Sequence, residues 1–158
     1  MERMLNDAKK RYEPLQKKYK LPSFNEINKE FEIEKVQETD SDFLLREVRK
    51  SVGEKIGAFL RFLENIINPT LAPIFVLNSL KNLSAEEKEV IKECYEILVK
   101  LELEAIHLDV DYDEKKEAIF IQKSYMQWQT LKPSLNEIIS MMEKTQKKVV
   151  ERKNSYLG

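Results

Sequence analysis

His107 is the only histidine in the chain, so any hydrolytic arrangement of the Ser-His-Asp or Cys-His kind has to use it. The single cysteine, Cys94, stands 13 residues upstream, roughly 20 Å along a continuous helix at 1.5 Å per residue. A Cys-His dyad therefore requires the chain to reverse between them. Cys94 falls on an apolar stripe, where a small core residue is expected. Glu104 and His107 have the Glu-x-x-His spacing that sets two polar side chains one turn apart on a helix, and Asp111 and Glu114 prolong the row. Helical bundles that hold two irons use two such pairs together with carboxylates from facing helices. This chain has one pair, and its core stripes offer no inward glutamate to complete a single-pair site. Glu104, His107 and Asp111 are thus the metal candidates, and a solvated acidic face without metal or cofactor is the expected role of the row. Asp109-x-Asp111-x-Asp113 begins like a calcium loop, but Glu114 stands at the glycine position and Phe120 at the closing glutamate position, which rejects an EF-hand. No Walker loop, dinucleotide fingerprint, metalloprotease motif or nucleophile elbow is present. The expectation is a protein that is not an enzyme.

The remaining chemistry-bearing residues are basic. Lys9, Lys10, Arg11, Lys17 and Lys18 near one end, and Lys147, Lys148, Arg152 and Lys153 near the other, are the nucleic-acid candidates, with Tyr12 and Tyr19 interleaved among the first group. Both tyrosines also sit on an apolar stripe, where burial is expected. Residues 1 to 20 carry seven positive and three negative groups, net +4; residues 84 to 117 carry five and twelve, net −7; residues 118 to 158 carry seven and three, net +4. The ordinary explanation is that basic terminal helices pack beside an acidic one. An isoelectric point near 6 is far from that of typical nucleic-acid-binding domains. Tyr156 and Leu157, beyond any helical pattern, read as a flexible tail over 154–158 or as a short docking peptide for a partner groove.

The whole chain of 158 residues has a net charge of −1, with 35% charged and 42% hydrophobic residues, a balance that disordered chains do not have. A single domain over 1–158 with a basic arm over 1–20 follows. One cysteine excludes a disulfide framework, and three Gly exclude a Gly-rich phosphate-binding fold. No secretory h-region is readable, and the most apolar stretch, Leu71 to Leu80, is about half the length needed to span a bilayer. A cytoplasmic, membrane-free protein is expected. Its density of Lys, Glu and Ile is thermophile-like, or reflects an AT-rich genome.

Helical spacing accounts for most of the chain. Ala8, Tyr12, Leu15 and Tyr19 align with Leu5 on one face, with a kink or break expected at Pro14. Ser23 and Glu26 form a capping box before Phe24, Ile27 and Phe31. Thr39, Asp40, Ser41 and Asp42 offer N-cap oxygens ahead of a long stripe through Leu45, Val48, Val52, Ile56 and Leu63, which Asn68-Pro69 ends. Gly53 and Gly57, four apart, predict a close helix crossing. Leu71 to Leu80 reads as a short helix buried on most faces. Ser84 and Glu87 form a second capping box, before a stripe through Cys94, Leu98, Leu101, Ala105 and Leu108. Residues 106 to 122 support two readings. Ile106, Leu108, Val110 and Tyr112 alternate with polar residues as in a strand, with a hairpin turn at 113–116; or a helix runs through, Asp113 caps the next, and Ile121, Tyr125, Trp128 and Leu131 continue it. Pro133 is placed at the first position of a last helix.

The run Lys20-Leu21-Pro22-Ser23-Phe24 through Asn28-Lys29-Glu30-Phe31-Glu32-Ile33, followed by Asp42-Phe43-Leu44-Leu45-Arg46, resembles a group of uncharacterised archaeal α-helical proteins, with similarity extending through Glu114 to Ile121. That resemblance implies an archaeal, cytoplasmic source and no known activity. Arg46 to Ile56 and Asn82 to Glu87 are more faintly similar to the helical domain of GINS replication-complex subunits, which usually add a small β-rich domain; residues 101 to 122 supply at most one hairpin. The fold expected is all-α, a bundle of five to seven helices, with a single β-hairpin near 106–122 left open. The function expected is a soluble helical adaptor or assembly subunit that binds a protein partner or a second copy, with apolar surface at Leu71 to Leu80 and Trp128. The alternative is an accessory nucleic-acid-binding protein that uses its basic terminal helices, and a metal-binding bundle comes third.

Overall fold

Two serines start helices in the way their spacing predicts. In a computed structural model, Ser23 Oγ accepts from Glu26 N while Glu26 Oε2 accepts from Ser23 N at 2.8 Å, and Ser84 and Glu87 repeat the exchange. The structure describes residues 2–38 and 42–156, leaving aside the side chains of residues 2–6, 37, 38 and 71. Leu5, the cap positions Thr39, Asp40 and Ser41, and Leu157 fall outside that description.

Among the described residues there are six α-helices and no strand: α1 (Glu2–Tyr19), α2 (Phe24–Phe31), α3 (Leu44–Ile67), α4 (Ile74–Leu80), α5 (Ala85–Val110) and α6 (Glu114–Tyr156), with 3-10 turns at Ile33–Glu38 and Pro69–Leu71. The chain divides into two compact units, one of Met1–Gly57 and Lys100–Trp128, the other of Ala58–Val99 and Gln129–Gly158.

In the first unit, α1 runs unbroken through Pro14 and ends at Lys20, whose left-handed φ of 54° lets Leu21 N donate to Gln16 O. Tyr12 is fully buried, its ring edge-on to Phe24 at 5.8 Å and its hydroxyl donating to Pro22 O at 2.8 Å. The Tyr12 ring is therefore not available to stack on a base. Phe31 packs on Trp128 at 5.8 Å, and the indole Nε1 donates to Glu30 Oε2 at 3.0 Å. Trp128 is a core residue, 4% exposed, and adds nothing to the surface that the sequence assigned to it. Lys55 lies over the Phe31 and Trp128 rings and donates to Glu30 O, which satisfies the carbonyl near the end of α2.

The hairpin reading of residues 106–122 is overturned. Helix α5 continues to Val110, and after a short turn Asp113 Oδ1 accepts from Lys116 N at 3.0 Å to start α6. The alternation had a helical cause. Leu108 faces the core, whereas Ile106 and Val110 stand on the opposite side of the same helix. At Gly53 a Cβ would meet nothing within 4 Å, so no neighbour approaches closely at that residue, whereas Gly57, four residues on, is buried.

In the second unit, Leu63, Ile66, Val76, Ile91, Cys94, Leu98, Leu131, Leu135, Ile138 and Met142 form the core. Pro133 does not begin a helix; it lies inside the 43-residue α6. Its ring is exposed, and Leu131, Leu135 and Ile138 bury at helical spacing on both sides of it. Helix α4 also differs from expectation. Only Val76 and Ser79 are buried, while Ile74 is 77%, Phe75 47% and Leu77 40% exposed. A helix of 7 residues has one buried stripe, and its all-round apolar composition therefore leaves apolar surface in water.

Candidate functional site

An apolar concavity lies in the second unit. Phe59 and Phe62 of α3, Phe75 of α4, and Ile139 and Met142 of α6 line a groove of about 380 Å³, with Ala58, Glu143 and Gln146 completing it. Gln146 holds α4 against α6: its Nε2 donates to Phe75 O at 2.6 Å and to Ser79 Oγ at 3.2 Å, while Ser79 Oγ donates to Phe75 O at 2.9 Å. These bonds fix Phe75 at the groove wall, although α4 has no side-chain cap at Pro73. Glu143 is the only charged group in the lining, and it is exposed. The groove thus offers apolar contact, with the Glu143 carboxylate and the Gln146 amide as its polar groups.

The first unit holds the strongest polar constellation. Arg49 of α3 is 2% exposed and Glu117 of α6 is fully buried. Arg49 Nε donates to Glu117 Oε2 at 2.6 Å, Nη2 to Asp109 Oδ1 at 2.6 Å, and Nη1 to Ala105 O at 3.2 Å. Arg46 adds a bond to Leu108 O at 3.4 Å, an approach of 3.8 Å to Glu117 Oε1, and a face contact with Tyr112. Burial pushes the Glu117 carboxyl above its ordinary value, against the pull of the Arg49 and Arg46 charges. Burial works against the Arg49 charge too, but its bonds to Asp109 and Glu117 outweigh that, and the guanidinium stays protonated. Two arginines and two carboxylates balance, so the cluster ties α3 to the α5–α6 corner. It corrects the expectation that no glutamate points inward, since Glu117 does, with Arg49 against it. The signal was present in the sequence: Arg49 stands one turn from Leu45 and Val52, on the stripe itself.

The metal candidates do not converge. Glu104 is ion-paired to Lys123, Asp111 is exposed in the turn after α5, and His107 borders a shallow depression with Leu103, Leu108, Lys116, Ile119 and Phe120. Among the described residues no three His, Cys, Asp or Glu side chains are grouped to hold a metal ion. Cys94 is 3% exposed, and burial raises its thiol pKa against a hydrogen bond with Ser134, so the nucleophilic thiolate is disfavoured. Of the basic residues, Lys18 is bonded to Glu114 at 2.8 Å, where the Tyr19 hydroxyl also donates at 2.6 Å. That contact brings the basic end of α1 onto the acidic stretch. Lys9 is half-buried and Lys10, Arg11 and Lys17 are exposed; Lys147, Lys148, Arg152 and Lys153 are all exposed on α6, as is Tyr156 at 91%.

No helix among the described residues is long and apolar enough to cross a membrane. Compared with protein-family models, curated proteins and solved structures, the chain matches none.

Proposed function

We propose that this chain is a non-enzymatic helical adaptor or assembly subunit, and that the groove between α3, α4 and α6 receives an apolar helix face of a protein partner. The observation that carries this reading is the groove's lining by Phe59, Phe62, Phe75, Ile139 and Met142, with Ile74 77% exposed beside it. Soluble domains seldom leave such surface in water unless something covers it. Helices dock in such grooves through anchors at i, i+3, i+4 and i+7. The compartment proposed with it is the cytoplasm, a reading that one free, buried cysteine supports. The test is affinity capture from a lysate of the source organism with the native chain and with Ile74→Glu/Phe75→Glu, at positions 77% and 47% exposed. A partner enriched by the native chain and lost at least about tenfold with the variant supports the reading. No enriched partner, or equal enrichment by both, counts against it.

The second reading is phosphate-backbone binding, favoured by the joint exposure of Lys147, Lys148, Arg152 and Lys153 at the end of α6. It predicts retention on single-stranded RNA or duplex DNA that falls steeply with salt. No retention at low salt removes it.

A further inference from the structure

We infer that a second copy of this chain docks the basic end of its α6 onto an acidic, apolar stripe on the outer side of α5. Leu103, Ile106 and Val110 are 61%, 53% and 75% exposed. They recur at spacings of three and four, the pattern of a two-turn coiled-coil seam. They lie opposite Leu101, Ala105 and Leu108, which are buried, so α5 has one apolar face in the core and another in water. Leu103 also borders the depression beside His107, Lys116, Ile119 and Phe120, and Ile106 and Val110 lie outside its lining.

Charge says what covers it. Residues 102 to 114 contain six acidic groups and no lysine or arginine. Lys123, Arg49 and Lys18 take Glu104, Asp109 and Glu114, which leaves Glu102, Asp111 and Asp113 around the stripe without an ion pair among the described residues. Their negative charge disfavours packing α5 against a second α5, because like charges would meet along the seam. The complementary helix must be apolar on one arc and basic at its edges. Residues 144 to 153 of α6 contain five basic groups and one acidic. At about 100° per residue, Val149, Val150 and Tyr156 share an arc of about 120°, with Lys153 within it and Lys147 and Arg152 on its two sides. Val150 is 56% and Tyr156 91% exposed. Both faces extend over about two turns, so length, polarity and charge match.

Full-length protein is to be examined by sedimentation equilibrium at roughly 1 to 200 µM in about 50 mM and about 500 mM salt. The expected result is an average mass that rises above 18.7 kDa with concentration at low salt, and a dissociation constant about tenfold weaker at high salt. Val110→Glu and Arg152→Glu, both exposed, keep the helical content of the native chain, which circular dichroism checks. Each variant alone is expected to remain monomeric. Mixed in equal amounts they are expected to associate, since the Val110→Glu chain retains a basic end and the Arg152→Glu chain retains a stripe. A native chain that is monomeric throughout overturns the proposal, and that outcome includes the case in which each chain covers its own stripe. So does association that survives either substitution, that is indifferent to salt, or that is lost with Phe75→Glu, which would assign it to the groove. Failure of the two variants to complement one another would also overturn it, because contact between unlike faces requires complementation.

Discussion

Replacing Glu117 by leucine removes one of the three acceptors that hold Arg49. The Arg49 side chain is 3% exposed, and what remains to it is Ala105 O and an Asp109 carboxylate that is itself 57% exposed. Water around Asp109 weakens that bond, so the buried guanidinium loses its only desolvated counter-charge. Breaking a buried pair from one side costs about 3–5 kcal/mol; because Asp109 stays, the lower end applies, about 3 kcal/mol. With a urea m-value of about 2 kcal/mol/M, the midpoint falls by about 1.5 M. Trp128, the only tryptophan, belongs to the same compact unit as the network, so its fluorescence reports the unfolding of that unit. Arg49→Met/Glu117→Leu is expected to recover at least about 2 kcal/mol relative to the sum of the single changes, because the double variant leaves neither partner's charge buried alone. Arg49→Met alone leaves Glu117 with only the 3.8 Å approach of Arg46. Its carboxyl, already raised by burial, then takes up a proton while folded, so the folded state binds more protons than the unfolded one. Arg49→Met therefore costs less at pH 5 than at pH 7. Strict additivity of the two substitutions, or a Glu117→Leu midpoint equal to that of the native chain, would refute the account of the network as a compensated pair.

Burial, and secondarily Glu26, raises the Tyr12 phenol, so above about pH 10 an unfolded tyrosine ionises while folded Tyr12 keeps its proton, and stability falls with pH. The gap between the native chain and Tyr12→Phe, about 1 kcal/mol at pH 8 from the Pro22 hydrogen bond, therefore narrows past pH 10; parallel denaturation profiles from pH 9 to 11 would contradict this. Ser84→Ala deprives α5 of its capping box and is expected to cost about 1 kcal/mol, read as a lower urea midpoint by far-ultraviolet dichroism. Pro133→Ala returns an amide to α6 at an exposed position and is expected to stabilise by about 1–3 kcal/mol; an unchanged midpoint would mean the proline ring relieves strain elsewhere in the helix.

Helix starts were legible because they depend on a few adjacent residues: Ser23 with Glu26, Ser84 with Glu87, and Asp113 all cap as their spacing predicts. Burial of Tyr12 and Cys94 was legible from the phase of their stripes. Pro133 misled, because the local cost of a proline is outweighed where apolar residues on both sides bury in one register. Residues 106–122 left a helix and a hairpin both open for a related reason. A helix with apolar residues on two faces has the period of a strand when read as a string. Of the site, Phe75 and Ile74 were recognised as apolar, but their exposure was not, since burial depends on what packs against a helix.

Local chemistry alone thus determined that the chain is helical, where three of its six described α-helices begin, that its one cysteine is a core residue, and that its charge is segregated along the chain. These follow from contacts within about one turn, or from periodicity. Tertiary structure decided which apolar residues are left in water, that Arg49 and Glu117 meet 68 residues apart in a desolvated pair, and that Phe59, Phe75 and Ile139 share one groove. Those are properties of pairs of helices, and a single helix's pattern cannot specify which of its faces a neighbour will cover.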